Sequence, residues 1–436
     1  MHDSADRDPP PRCHPGTREK ATKDIVHWIK ESNPSSSVLW VNGRAGVGKS
    51  ALMQKIAELG LLYFGGCFFF RRGVPGCNVK DHLFSTLAYQ LAINVPGLLE
   101  HVDQAMIQDP LLPKRSAAVQ LKRLIINPFR LLPTFLTPLR PTIIIIDGLD
   151  ECEDFNSQRD ILTLIGQVTM DPNVAIQFII ASRPEHQICD VFNKEPLFSR
   201  TRRLILDEEY DTEADIEWYL CKAFDEIHSR NRDIMPDVRS PWPSEHDIQL
   251  LVQRASGQFI YAATVIKFIG SDTDFHTPEE RLEFILTPGP MQALAFSELD
   301  HLYTQILSLY PDSKILVHTL RVVLVLELMG NSVNSPATIA AITGFGEAKL
   351  RLVLRALQSI TEVRTEPVFD DADDNKHNGT DIQWVKLSHR SFHDFLTNEA
   401  RSGPYFIDET VFGGQFFCRI MELATISIKE LKMCKR

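Results

Sequence analysis

VLWVNGRAGVGKSALMQKIAE, Val38 to Glu58, is the stretch that decides the fold. Val38 to Val41 is a short apolar run of the kind that forms a strand buried on both faces. Ala51 to Glu58 reads as a helix, and between the two lies GRAGVGKS, Gly43 to Ser50, which fits GxxxxGK[ST]. The chemistry of that spacing is anion capture. Glycines let successive N–H groups turn inward around phosphate oxygens, and the following helix adds the positive end of its dipole. The candidate cradle is Gly43, Arg44, Ala45, Gly46, Val47, Gly48, Lys49, Ser50 and Ala51. Lys49 would reach the terminal phosphates, and the Ser50 hydroxyl would join a Mg²⁺ shell.

The same alternation continues downstream. Further strands are expected at Gly66–Phe70, Thr142–Asp147, Ala175–Ala181 and Arg202–Leu206. Helical patterns fall at Val79–Ala92, Ala118–Ile126, Ile161–Thr169 and Glu185–Phe192, after an amphipathic helix from Thr17 to Glu31. Apolar strands alternating with helices indicate an α/β fold, a parallel sheet with helices on both faces.

Two strand ends add acid and base. IIIIDGLDE, Ile143 to Glu151, delivers Asp147 at the C-terminal end of an apolar strand, where such sheets present their ligand crevice. Asp147 can hold Mg²⁺ through water, while Asp150 or Glu151 can orient or deprotonate an attacking water. IIASRPE, Ile179 to Glu185, ends another strand with Ser182 and Arg183, and Arg183 could contact a γ-phosphate.

Beyond Leu206 the strand signal stops. One helix carries Ile216, Leu220, Phe224 and Ile227 on a stripe, and others are expected near Asp247–Arg254 and Phe259–Ile269. After residue 299 come three or four more helices and two short strands, near Ile360–Val368 and Ile382–Leu387. That order fits a winged helix. The resulting division is 1–16, a flexible tail; 17–206, the phosphate-binding domain; 207–298, a helical domain; 299–400, a winged-helix domain; and 401–436, an extension.

The 436 residues carry 46 Lys and Arg against 57 Asp and Glu, a net charge of −11. That balance argues against binding nucleic acid by general phosphate attraction, and Asp370, Asp371, Asp373 and Asp374 would repel phosphates from the expected wing. No apolar run approaches the roughly 18 residues of a membrane helix. The start of the chain lacks the apolar segment of a secretory signal, and its eight cysteines form no CxxC pair, so they read as reduced thiols in the cytoplasm. His389 and His393 have the spacing of two ligands on a helix, yet no third ligand accompanies them, so no metal is assigned there.

GRAGVGKS, DGLDE and ASRPE together resemble the NACHT class of signal-transducing P-loop ATPases, and most closely its fungal nephrocystin-type members. PGTREKATKDIVHWI (Pro15–Ile29), FFFRR (Phe68–Arg72), ASGQFIYAATVIKFI (Ala255–Ile269), LDHLYTQIL (Leu299–Leu307) and LSHRSFHDFL (Leu387–Leu396) look like further landmarks of that family. The resemblance implies strand order 5-1-4-3-2. It also implies that Thr17 and Arg18 flank the adenine side of the site, and that His389 can touch a diphosphate in a closed form.

The function this implies is a molecular switch. An ADP-bound closed form would exchange to an ATP-bound form that self-associates, with Mg²⁺ as the metal and slow hydrolysis as the reset. The base is left open between ATP/ADP and GTP. Signalling, non-self recognition or programmed cell death is the expected setting. The resemblance begins by about residue 9 and ends near residue 400, so partner proteins are expected to supply sensor and effector functions; neither nucleic acid nor membrane is. The alternatives are a nucleotide-binding scaffold without hydrolysis and a metabolic P-loop phosphotransferase.

Overall fold

The structure is a computed structural model of the chain. It describes all residues except 1, 5–6, 8, 32–35, 62, 73, 75, 133–140, 207–209, 272–275, 288–297, 311, 330–334, 367–381 and 409–436. Two compact units result, residues 1–219 with 257–259, and residues 220–256 with 260–436.

The first unit is built on five parallel strands: β1 (Val38–Asn42), β2 (Phe64–Phe69), β3 (Thr142–Asp147), β4 (Ile176–Ser182) and β5 (Thr201–Ile205). Their order, β2-β3-β4-β1-β5, is the 5-1-4-3-2 order expected from the resemblance. Strand parity sorts the side chains into two apolar layers. Leu39, Val41, Ile143, Ile145 and Ile179 pack with Ile25 and Trp28 of α1 (Glu19–Lys30) and with Leu52, Met53 and Ile56 of α2 (Lys49–Glu58). Trp40, Ile144, Ile146, Phe178 and Ile180 pack against α3 (Leu83–Asn94) and the helix Phe155–Thr169. Each fully buried Ile or Leu stabilises the unit by about 1.5–3 kcal/mol. A sheet covered on both faces therefore needs the continuously apolar strands that the sequence supplies.

Register explains how distant motifs meet. Asn42 is registered with Ser182, Asp147 with Ala181, and Phe69 with Asp147. The C-terminal ends of β1, β2, β3 and β4 thus share one edge of the sheet, where GRAGVGKS, DGLDE and SRPE all begin.

Helix α4 (Leu98–Gln108) has no counterpart among the expected elements; it buries only Leu98 and Val102, so its apolar stripe is short. The first residues also depart from expectation. Over its described residues the segment 1–16 is held to the first unit rather than being a free tail. His2 donates its backbone N–H to Cys67 Sγ at 3.2 Å, and its ring lies edge-on to Phe64. Arg12 pairs with Glu58 at 3.0 Å. Composition, rich in Pro and charge, could not disclose these partners, because they sit on β2 and α2.

Within the second unit, the helices Glu245–Ala255, Phe259–Ile269 (from its second residue) and Pro278–Leu286 are followed by Glu298–Ser308, Ser313–Met329, Pro336–Thr343 and Glu347–Ala356. Pro278–Leu286, not among the expected helices, opens on a capping box in which Thr277 and Glu280 satisfy each other's backbone N–H groups. β6 (Thr361–Glu366) and β7 (Ile382–Leu387) then form an antiparallel pair, as expected. Tyr303, Phe392 and Phe395 pack together, with the Tyr303 hydroxyl bonded to Ser391 at 2.8 Å. Arg401 grips buried Asp300 through two hydrogen bonds of 2.9 and 2.6 Å. The acidic stretch containing Asp370, Asp371, Asp373 and Asp374 lies outside the described residues, as does nearly all of the expected extension. Among the described residues no helix is long and apolar enough to cross a membrane.

Candidate functional site

The site grows from the turn between β1 and α2. Gly48 is the residue before the helix, with φ 90°, and Gly46 has φ 77°. Both values lie in the left-handed region, where a side chain would be strained, so the two glycines let the loop curl back on itself. No side chain caps α2, and the amides of its first turn lack intrahelical acceptors. They are thus directed at whatever occupies the loop.

Cations hold the loop's carbonyls. Lys49 Nζ donates to Gly43 O at 2.7 Å and to Arg44 O at 2.9 Å. Arg18 Nη2 donates to Val47 O at 2.6 Å. Arg18 is only 2% exposed and itself adopts φ 58°. Its other guanidinium nitrogen donates to Leu206 O and to Thr212 Oγ1, and its backbone N–H to Asp215. One buried side chain therefore ties the phosphate loop to the exit of β5 and the start of the helix Thr212–Arg230. Thr17, equally buried, bonds His14 O through its hydroxyl. Phe259 completes this side of the unit, with its ring within 5.1 Å of the Arg18 guanidinium. A cradle built this way leaves N–H groups turned inward because its carbonyls are occupied.

Opposite the loop stands Asp147, 3% exposed. Burial pushes its carboxyl up to about 6, opposed by a hydrogen bond with Ser50 and by the charges of Arg7 and Lys49. Asp147 Oδ1 is buried with no hydrogen-bond partner. A buried, unsatisfied carboxylate oxygen beside a serine hydroxyl is costly as it stands and fits an oxygen-ligated divalent cation. Ser50 and Asp147, from separate motifs, are brought together as metal-ligand candidates.

After β3 the chain turns sharply. Gly148 has φ 69°, and a Cβ there would lie 3.0 Å from Phe70 O, so only glycine fits. The turn sends Asp150 and Glu151 in different directions. Asp150 faces the end of β4, where it accepts the Arg183 backbone N–H at 3.0 Å and approaches Arg183 Nε at 3.3 Å. Glu151 accepts the Arg72 backbone N–H at 3.2 Å, from the loop after β2. Gln158, not singled out by its sequence, braces the turn by donating to Cys152 O at 2.8 Å and to Asp150 O at 3.3 Å. Ser182 is fully buried and accepts from Trp40 Nε1, which fixes the end of β4 to β1.

His389 belongs to the second unit. It is the N-cap of the helix Arg390–Leu396, where its Nδ1 accepts from the Ser391 N–H at 3.0 Å. Arg7 is the neighbour of Asp147 that sequence reasoning missed, since nothing in a Pro- and Asp-rich stretch marks it.

Residues 16–183, the phosphate-loop part of the chain, match the model of the nephrocystin 3 N-terminal family. A comparison with curated proteins returns no match. Among solved structures, a signal-transduction ATPase with numerous domains and a tetratricopeptide-repeat sensor, from Pyrococcus horikoshii, aligns with a TM-score of 0.45 at 10% identity. That alignment covers 94% of this chain and 45% of the Pyrococcus protein, so this chain spans under half its length. The Drosophila origin recognition complex bound to DNA aligns with a TM-score of 0.39 at 14% identity, over 87% of this chain and 94% of the other. The ORC2 protein of Aeropyrum pernix aligns at 0.36 and 12% identity, over 87% and 91%.

Proposed function

We propose that the chain is a nucleotide-controlled switch of the NACHT type, binding ADP or ATP with Mg²⁺ and changing its self-association with the nucleotide bound. The observation that carries this is the convergence of the phosphate loop, Ser50 and the unsatisfied Asp147 oxygen at one edge of the sheet. In this reading the amides of Gly46 to Ser50 bind the phosphates and Lys49 exchanges its carbonyl partners for phosphate oxygens. Ser50 and Asp147 hold the metal. Mg²⁺, when bound, screens the negative charge of the phosphate oxygens.

Asp150 and Glu151 divide their tasks. Asp150 is engaged twice with Arg183, so it orients the arginine, and Glu151 positions the attacking water. Arg183, fixed at the end of β4, distinguishes triphosphate from diphosphate. The magnitudes come close: moving a two-state balance from 1:99 to 99:1 takes about 5.5 kcal/mol, and two charge-assisted hydrogen bonds supply about 1.5–3 kcal/mol each. Turnover in such a device is slow. Signalling through partner proteins, in non-self recognition or cell death, is the setting that fits a chain of this type.

The test is nucleotide exchange on the purified protein, followed by light scattering. Replacing ADP with ATP should raise the molar mass. Rapid multiple-turnover phosphorylation of a small metabolite, with no change in mass, would replace the switch by a phosphotransferase.

A further inference from the structure

The N-terminal segment brings an additional cation to the acidic side of the site. Arg7 lies on the face of the sheet covered by α2: its guanidinium carbon is 3.6 Å from the centroid of the Phe69 ring, and Nη2 donates to Gln54 Oε1 at 3.1 Å. Gln54 is one helical turn beyond Ser50, and Phe69 is registered with Asp147 across β2 and β3. Arg7 therefore touches one neighbour of each residue assigned to the metal. Its Nε is buried without a hydrogen-bond partner, the same condition as Asp147 Oδ1. Burial lowers the Arg7 pKa and the Asp147 charge opposes that shift, while the Arg7 charge opposes the upward push of burial on Asp147.

We propose that Arg7 stands in for the divalent cation, offsetting the buried Asp147 charge when no metal is bound, so that docking of the N-terminal segment and metal binding at Ser50 and Asp147 oppose each other. The inference rests on the reading of those two residues as metal ligands. Two cations served by one carboxylate repel, and the linkage is reciprocal: metal loosens the segment to the extent that the segment weakens the metal. Arg12, paired with Glu58 one turn beyond Gln54, extends the same strap along α2 and would be released with it. The N-terminal segment thereby becomes a reporter of the metal state of the site.

Mn²⁺ is the probe, titrated into the full chain in the presence of ADP and followed by electron paramagnetic resonance. Arg7→Gln should bind Mn²⁺ about three- to tenfold more tightly than the wild type, and Arg7→Lys should resemble the wild type. Equal or weaker Mn²⁺ binding by a folded Arg7→Gln protein would overturn the proposal. A second measurement needs no variant: Mn²⁺ should speed tryptic cleavage of the wild type after Arg7 and Arg12, and an unchanged cleavage rate counts against the opposition. Asp147→Asn separates the two layers. If it retains Mn²⁺ binding, the ligand assignment itself fails; if it loses Mn²⁺ while Arg7→Gln is unchanged, only the role of Arg7 fails.

Discussion

Arg183 and Asp150 hold each other twice, through the Arg183 backbone N–H on Oδ1 at 3.0 Å and the Nε on Oδ2 at 3.3 Å. The pair joins the end of β4 to the turn after β3, so the arginine's direction depends on the carboxylate. Asp150→Ala and Arg183→Ala should each reduce the preference for ATP over ADP by about tenfold, the size of one charge-assisted hydrogen bond. The double variant should lose little more. Affinities for fluorescent ATP and ADP analogues measure this, and fully additive losses would show that the two residues act independently.

Glu151 is anchored by the Arg72 N–H, on the opposite side of the turn from Asp150. Glu151→Gln should keep nucleotide affinity within about threefold while hydrolysis falls about 100-fold or more, the usual contribution of a positioned base. Single-turnover release of phosphate checks it; an unchanged rate would move the role elsewhere.

The parallel sheet was legible because its signal is local. Ile143 to Ile146 can only be a doubly buried strand, and a glycine-rich loop between such a strand and a helix has few other uses. Lys49, Ser50 and Asp147 stand out as candidates for the same reason. Arg183 and Asp150 were each visible, but their partnership was not, since it depends on how β3 and β4 end in register. Arg7 was invisible altogether. Its neighbours Gln54, Phe69 and Asp147 come from three elements, and no spacing in the chain announces that a Pro-rich segment will return to them. Contacts made by irregular chain leave no periodicity to read.

Arg18 supports the phosphate loop from behind through Val47 O, Leu206 O and Thr212 Oγ1. Arg18→Ala should destabilise the protein by about 3–5 kcal/mol, because three buried acceptors lose their donor at about 1–3 kcal/mol each. Arg18→Lys should not restore it, because an ammonium cannot span the fork of acceptors. Urea denaturation gives the comparison, and a loss under about 1 kcal/mol would mean that the loop holds without this tie.

Cysteine chemistry offers a pH-dependent check on the buried face of β2. Burial pushes the Cys67 thiol up to about 11, whereas Cys221 is exposed. Since the thiolate is the reactive form, alkylation at pH 8 should spare Cys67 while labelling Cys221, and Cys67 should gain reactivity only as the pH approaches 11. Peptide mass mapping reads both. Rapid labelling of Cys67 at pH 8 in the folded protein would contradict the packing of His2 and Gln90 around it.

The central claim is that the loop from Gly43 to Ser50 binds nucleotide with Lys49 as its fixed cation. Mass spectrometry of what the purified protein releases on denaturation tests this most directly. Close to one ADP or ATP per chain is expected from the wild type and essentially none from Lys49→Ala. A wild-type protein that carries no nucleotide and takes none up, or a Lys49→Ala protein that retains it fully, would contradict the account.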